Sequence, residues 1–420
     1  MTTDVDVQYF SHLNGLILGN NWGDMVRLLD TCLVNGLPLT SITSASIDAQ
    51  GDITLNLYSD HKCLLFQIIE LSGFLPIEIN GKYRIKGIPT SKQLILKAVH
   101  SGKNITQTGD AKLSPLGYEI IFSDAGHVKR VYRAKNPISS HPYIRVDESQ
   151  GDGANIYDSN YAKYAMVGLI ENMEHIDDYQ NTSKLQLPLD ISDFKKNWKT
   201  IGAGPNVVRG WSRWHWARNV DGYNSGNDVS IATNGNRCFT LSGSKDAFYI
   251  FTTFTPNANG AKQLLGCGLY ESPLDPSVIP NWFLLSPSHL LQASTAIDHT
   301  TITGGWPLFY SESAAQIHLN NYDIAQRIKS SIFAKPIIPD YKSGRSGIFN
   351  GTNLAALQIP IVDIDKKLRG TLQHIYFAGD ERYTNLVTKP ISSGSSMYVY
   401  DGTPNATNTG GMYFYLGEIE

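Results

Sequence analysis

The sequence predicts a mainly β protein, in which an N-terminal domain with one helix and an antiparallel sheet precedes a larger β-sandwich or barrel-like region. Short apolar runs and alternating apolar and polar residues, separated by Gly, Asn and Pro, extend along most of the chain, as expected for strands and turns. Clear helical spacing occurs near the start. Only 17% of the 420 residues are charged, below the roughly 25% of an average soluble domain, and this favours a β-rich, loop-rich chain.

The predicted helix depends on four apolar residues that recur at helical spacing, namely Trp22, Val26, Leu29 and Leu33. Asn21 is expected to cap the free amides at its start, and Gly36 is expected to end it. Strands fill the rest of residues 1–135, which form the first predicted domain. They are predicted at 53–58, 63–71, 93–99, 118–122 and 128–133, and Asn80-Gly81 between two short runs predicts a hairpin.

A second domain is predicted beyond a Pro-, Ser- and Gly-rich linker. The linker covers 136–160, and the β-rich domain covers 161–420, with a further division near 290–310 left open. Its strands are predicted at 161–173, 207–218, 238–242, 247–254, 263–270, 282–285, 357–363 and 371–377, with a short helix at 313–320. The similar pieces 397–400 and 412–415 predict a terminal hairpin with a tyrosine-lined face, whose edge needs covering by another strand or another subunit.

Charge and cysteine content argue against several classes of protein. A net charge of −3 opposes nucleic-acid binding, and the basic cluster of Lys129, Arg130, Arg133 and Lys135 is interpreted as a solvated strand or a salt-bridged contact. The acidic N-terminus predicts no signal peptide, and the apolar stretches are too short to cross a membrane. The four cysteines stand singly and predict buried free thiols.

No motif in the sequence supplies a catalytic residue, a metal site or a cofactor site. His175-Ile-Asp-Asp178 is interpreted as a solvated turn, and the acidic Asp147–Gly153 stretch does not match a calcium loop. The glycines of 202–210 precede a strand and lack the Lys-Ser/Thr ending of a phosphate loop. We therefore predict a protein that is not an enzyme. The sequence leaves open whether two of the 38 acidic residues lie close enough to form the carboxylate pair of a glycosidase.

The most unusual segment is 207–218, with three tryptophans and three arginines. On one strand, Trp214 and Trp216 would face one side, while Trp211, Arg213 and His215 would face the other. The candidate interface or binding residues are Trp211, Arg213, Trp214, His215, Trp216 and Arg218. One interpretation is a stacking platform for sugars or single-stranded bases. The favoured one is a core strand with a stacked polar layer, or a subunit interface, on its other face.

Four segments, 13–30, 79–86, 208–218 and 369–376, resemble structural proteins of tailed bacteriophages. The resemblance implies a tail, baseplate or neck component that acts through repeated subunit contacts and carries no catalytic residues. It leaves the position in the particle open.

Together these observations predict a non-enzymatic virion structural protein of a tailed phage, from the tail or baseplate, made in the host bacterial cytoplasm. The expected partners are further copies of the chain, in a trimer or hexamer, and other tail, baseplate or neck proteins. One alternative is a carbohydrate-binding or carbohydrate-cleaving receptor-recognition module, which requires exposed tryptophans in a groove. Another is an intracellular β-rich binding protein without a phage connection.

Overall fold

The structure is a computed structural model of the chain. It describes residues 4–153, 155–202, 207–210, 212–221, 229–260, 262–273, 281–286, 317–321, 330–337, 354, 356–378, 387–402 and 411–420. Trp211, a candidate binding residue, and the whole of 290–310, where the sequence leaves a further division open, lie outside these ranges.

Strands dominate the described residues. The strands of the first part are β1 (Gln8–Ser11), β2 (Leu37–Pro38), β3 (Ile42–Ile47), β4 (Ile53–Leu57), β5 (Ile68–Ser72), β6 (Gly81–Thr90), β7 (Gln93–Leu96), β8 (Asp110–Leu113), β9 (Tyr118–Ser123), β10 (Lys129–Ala134) and β11 (Tyr143–Asp147). Those of the second part are β12 (Lys163–Ile170), β13 (Gln186–Leu187), β14 (Thr200–Ile201), β15 (Val208–Arg209), β16 (Arg213–Ala217), β17 (Phe239–Gly243), β18 (Ala247–Thr253), β19 (Lys262–Leu269), β20 (Trp282–Leu285), β21 (Ile317–Asn321), β22 (Ser330–Pro336), β23 (Ala356–Asp363), β24 (Leu368–Ala378), β25 (Lys389–Ser393), β26 (Ser396–Gly402) and β27 (Gly411–Glu418).

These strands form antiparallel sheets. A seven-stranded sheet has the order β2-β8-β5-β6-β7-β4-β3, and a six-stranded sheet has the order β13-β12-β11-β10-β9 with β16 also paired to β12. A twelve-stranded sheet, β1-β17-β18-β19-β20-β21-β22-β23-β24-β27-β26-β25, curls into a half-barrel. The predicted class is therefore confirmed: the fold is mainly β, with a helix and antiparallel sheet first and a barrel-like region after it.

The helix α1 spans Asp24–Leu29 and continues as a π-helical segment over Asp30–Asn35. It ends at Gly36, as predicted, because that residue has a φ of 74° that L side chains rarely adopt. Its predicted cap is wrong. Gly23 occupies the capping position, and Asn21 instead donates its backbone N–H to the Asp24 carboxylate at 2.8 Å.

Two local predictions in the first sheet are also wrong. Asn80-Gly81 does not join two strands, because Ile77–Ile79 forms a 3-10 turn and the Asn80 amide group bonds to the backbone of Phe74 and Ile77. The run 63–71 becomes a strand only from Ile68 onwards. Before it, Phe66 has a φ of 67°, which breaks an extended chain.

The predicted strand 207–218 is divided in two. Gly210 has a φ of 66° and separates β15 from β16. The alternation of side chains between the two faces of a strand is therefore not continuous across Gly210. Of the predicted helix 313–320, the part from Ile317 onwards is strand β21, and 313–316 lie outside the described residues. The terminal hairpin is confirmed, since β26 pairs with β27.

The predicted linker 136–160 contains β11, whose five residues are all buried. This strand pairs with β10 on one side and β12 on the other, so one sheet extends across both predicted domains. The domain division itself stays a prediction.

Two large apolar cores lie on opposite faces of the twelve-stranded sheet. Strand β18 shows the division: Phe248 and Ile250 pack with α1, the seven-stranded sheet and the tryptophans of β16, whereas Tyr249 and Phe251 pack inside the half-barrel. Both faces of β18 are buried, which explains its continuous apolar sequence. The four cysteines are buried free thiols, as predicted.

Candidate functional site

The tryptophans of β16 are core residues. Trp214 and Trp216 are both 0% exposed and lie in the core shared with α1. The indole N–H of Trp214 donates to the carbonyl of Leu285 at 3.1 Å, and the ring meets Phe248 edge-on. The ring of Trp216 meets Trp22 edge-on at 6.0 Å. A sugar ring therefore has no access to either indole in the folded chain.

The opposite face of β16 forms a stacked polar layer around Tyr164 of β12. The Arg213 guanidinium lies over the Tyr164 ring at 4.8 Å, and the His215 ring lies 4.8 Å from it. Arg209 lies over the same ring at 4.7 Å and over Trp22 at 5.1 Å. This is the polar layer that the sequence predicted, and its guanidinium groups lie against aromatic faces.

Arg218 follows β16 and is also fully buried. Its backbone N–H donates to the carbonyl of Phe254 at 3.0 Å, and its guanidinium lies 5.9 Å from that ring. The five described candidate residues, Arg213, Trp214, His215, Trp216 and Arg218, thus leave almost no surface for a partner, and Trp211 lies outside the described residues.

A buried carboxylate that the sequence did not single out lies beside this layer. Glu148 accepts hydrogen bonds from the backbone N–H groups of Gly23 and Val26 at the start of α1. Burial raises the pKa of Glu148 to about 7, and the two amide donors act in the opposite direction. The one signal in the sequence was indirect: a helix that begins at Gly23, without a side-chain cap of its own, needs an acceptor from elsewhere.

A solvent-facing aromatic group lies at one end of the twelve-stranded sheet. Tyr376 of β24, Tyr398 of β26 and Tyr415 of β27 are half-buried and lie with ring centroids 5.3–6.4 Å apart. We call these three residues the tyrosine face. Their neighbours in sequence, such as Met397 and Val399, point into the half-barrel core. Of the four hairpin tyrosines that the sequence predicted for such a face, Tyr398 and Tyr415 belong to it, whereas Tyr400 and Tyr413 are fully buried.

The tyrosine face lies next to β25, the last strand of the sheet. Its pairing partner among the described strands is β26, so its outer edge lacks a neighbour there. Lys389 and Pro390 on β25 are residue types that discourage addition of another strand. A partner is thus expected to contact the face of the sheet rather than to extend its edge.

A cleft of about 590 Å³ lies between the N-terminal segment, the turn before β18, and β24. Its charged and titratable lining residues are Asp4, Asp6, Lys82, Lys135, Lys245, Asp246 and His374. At its wall, His141 accepts at Nδ1 from the backbone N–H of Ile138, so Nε2 donates to Asp246 at 2.7 Å. This bond lowers the pKa of Asp246. Because acidic and basic side chains both line the cleft, it suits a ligand that carries a positive and a negative group.

Within the described ranges, no three His, Cys, Asp or Glu side chains lie together as metal ligands would. No helix of the described residues has the length and apolar character that crossing a membrane requires. No protein-family model and no curated protein matches the chain. The resemblance to phage structural proteins therefore stays a prediction.

Proposed function

We propose that the protein is a non-enzymatic structural component of a tailed-phage virion, located in the tail or baseplate and assembled through repeated contacts between copies of the chain. The proposal starts from the resemblance of four segments to such proteins and from the low charge of the sequence. Neighbouring tail, baseplate or neck proteins would be its further partners.

The observation that carries the proposal is the tyrosine face. Tyrosine is enriched at the centres of protein interfaces because it combines a large apolar area with a hydrogen-bonding hydroxyl. Here the hydroxyl of Tyr415 donates to Glu418 at 2.5 Å, which fixes one ring of the group. Pre-fixed aromatic side chains lose little entropy on binding, so such a face suits contact with a second copy.

The expected assembly is a closed ring, a trimer or hexamer. The tyrosine face lies beside the last strand of the half-barrel, at one end of the twelve-stranded sheet. A contact between this face and a different surface of the next copy is head-to-tail, and it forms a ring when the rotation between neighbouring copies closes on itself. In such a ring both contact surfaces of every subunit are occupied, and the repeated contacts together stabilise the assembly.

The first test is the mass of the protein in solution by light scattering over a range of concentrations. We expect a defined trimer or hexamer for the wild type. In the double variant Tyr398→Ser, Tyr415→Ser two interface anchors are lost. The concentration below which its oligomer dissociates should therefore be about tenfold or more higher than that of the wild type. A wild-type monomer at every concentration would overturn the self-association part of the proposal.

Tyr58→Ser is the matched control. Tyr58 is 75% exposed and follows β4, a strand of the seven-stranded sheet, whereas the tyrosine face belongs to the twelve-stranded sheet. Its loss should leave the solution mass unchanged. The virion part is tested separately by cryo-electron microscopy of particles from the source virus, where absence of density for the chain would overturn it.

The tyrosine face also supports the second candidate function, a carbohydrate-binding receptor module. Three half-buried tyrosines could stack on sugar rings in place of the buried tryptophans. Titration with host glycans separates the two functions: saturable binding that Tyr398→Ser abolishes in a monomeric protein would favour the receptor module.

A further inference from the structure

Lys262 of β19 and Asp401 of β26 are in direct contact inside the fold. The Lys262 Nζ and the Asp401 Oδ1 form an ion pair, and both side chains are 0% exposed. Six strands stand between β19 and β26 in the order of the twelve-stranded sheet. The pair therefore connects the fourth strand of the sheet to the eleventh, which the curling of the sheet brings together.

Polar groups and one aromatic ring enclose the pair. Thr240 of β17 donates its hydroxyl to the Asp401 Oδ2 at 2.7 Å, and Lys262 donates to the carbonyl of Gly402 at 2.8 Å. The ring of Phe251 lies 5.4 Å from the Lys262 Nζ. The amine and the carboxyl group are thus held against each other with a hydrogen-bond donor on the second carboxyl oxygen.

A chain of hydroxyl groups leads from the pair to the surface. The Thr240 hydroxyl lies 2.6 Å from that of Thr388, which lies 2.9 Å from that of Ser11. Ser11 lies 3.3 Å from the Nδ1 of His12, which is partly exposed. Three hydroxyl groups thus connect the buried pair to a partly exposed side chain.

The backbone of Thr388 is strained. Its φ of 48° is a left-handed conformation that β-branched residues rarely adopt. Strain of this kind persists where the surrounding structure enforces it, and it is concentrated at functional sites. At this position it holds the Thr388 hydroxyl between those of Thr240 and Ser11.

We propose that Lys262 and Asp401 become joined by an intramolecular isopeptide bond in the folded protein. A proton moves from the Lys262 ammonium to the Asp401 carboxylate and leaves an amine and a carboxylic acid. The amine nitrogen attacks the Asp401 Cγ, so that a C–N bond forms and a carboxyl C–O bond breaks. The leaving hydroxyl takes a proton from the nitrogen and departs as water, and the reaction needs no oxidant or cofactor.

Burial favours each step. Two charges that are removed from water are costly, so proton transfer within the pair to give neutral groups is favoured relative to the same pair in water. Burial also raises the pKa of Asp401, which favours its protonated, reactive form. Thr240 donates to the carboxyl oxygen and polarises the group that the amine attacks.

The bond would fix the curvature of the half-barrel. It would link residues 139 positions apart in sequence and join the fourth strand of the twelve-stranded sheet to the eleventh. A cross-link that closes so long a loop restricts the unfolded chain strongly. Subunits of an assembly that bears mechanical load gain from such a link, although the inference does not depend on the proposed function.

The test is the intact mass of the purified protein under denaturing conditions. We expect the wild type to be lighter than its sequence by one water molecule, and tryptic digestion to yield the peptide of Lys262 joined to that of Asp401. Lys262→Met should have the full sequence mass. Asp401→Asn should form the same bond with loss of ammonia, so its product should have the same mass as the cross-linked wild type.

Lys163 provides the control within the same digest. It is also buried, but it donates to the backbone carbonyl of Tyr161 rather than to a carboxylate. Its peptide should therefore be unlinked. A folded wild-type protein with the full sequence mass, or a water loss that maps to another site, would overturn the inference, whether or not the Lys262→Met variant folds.

Discussion

The Glu148 Oε1 accepts a hydrogen bond from the backbone N–H of Val26 at 2.6 Å, across 122 positions of sequence. Helices are usually capped by a side chain next to their first turn. Here the cap comes from the end of β11, at the centre of what the sequence predicts to be a linker. The buried carboxyl group of Glu148 is thus one of the links between helix α1 and the six-stranded sheet.

The first prediction concerns the pH dependence of this contact. The pKa of Glu148 is raised from 4.5 to about 7, so between these values the folded state binds a proton that the unfolded state does not. Its contribution to stability is therefore complete below about pH 4.5 and is lost as the pH rises through about 7. Glu148→Gln removes this titration. The free energy of unfolding of the variant minus that of the wild type should therefore increase by on the order of 2–3 kcal/mol from about pH 5 to pH 8.

Urea unfolding of both proteins at each pH measures this difference. Several histidines also titrate in this range, but they contribute equally to both proteins and cancel in the comparison. Glu171→Gln is the control, because Glu171 is exposed. A difference between wild type and Glu148→Gln that does not change with pH would show that the carboxyl group is ionised in the fold throughout.

Local sequence patterns predicted the strands and the paired tyrosine segments well, because alternation and apolar runs depend on neighbouring residues. Strand β4 lies within one residue of its predicted bounds, and Met397–Tyr400 and Met412–Tyr415 pair as expected. The errors arise where distant groups decide the structure. The cap of α1 comes from Glu148, and the Lys262–Asp401 pair depends on the curling of a whole sheet. No local pattern contains either contact.

The second prediction concerns the break between β15 and β16. Gly210 and Gly394 have similar left-handed φ values of 66° and 62°, but their surroundings differ. A Cβ on Gly210 would lie 2.5 Å from the Met166 Cγ and 2.7 Å from the carbonyl oxygen of Asn197, whereas one on Gly394 meets nothing within 4 Å. Gly394→Ala should cost about 1–2 kcal/mol of unfolding free energy from the backbone alone. Gly210→Ala should cost about 2–5 kcal/mol, because overpacking is added.

Chemical denaturation of the two variants measures both costs. Their difference isolates the steric term, since the backbone penalty is common to both positions. Equal destabilisation would mean that β16 can shift away from β12, and that the division of segment 207–218 at Gly210 is not enforced by packing.

The third prediction separates the two buried tryptophans of β16. Both are 0% exposed and each meets one aromatic ring edge-on at 6.0 Å, so Trp→Phe removes a similar volume at each position. The indole N–H of Trp214 donates to the carbonyl of Leu285. That of Trp216 has no hydrogen-bond acceptor among the residues that the structure describes. Trp214→Phe should therefore be less stable than Trp216→Phe by about 1 kcal/mol.

Thermal unfolding gives the order of the two variants, and light scattering at a temperature where both are folded gives their mass. Because neither indole reaches the surface, both variants should assemble as the wild type does, in contrast to the tyrosine-face variant. A folded Trp214→Phe or Trp216→Phe protein of altered mass would mean that β16 opens during assembly and presents its tryptophans to a partner. The interface predicted from the sequence would then belong to the assembled state, and the tyrosine face would lose its place as the principal contact.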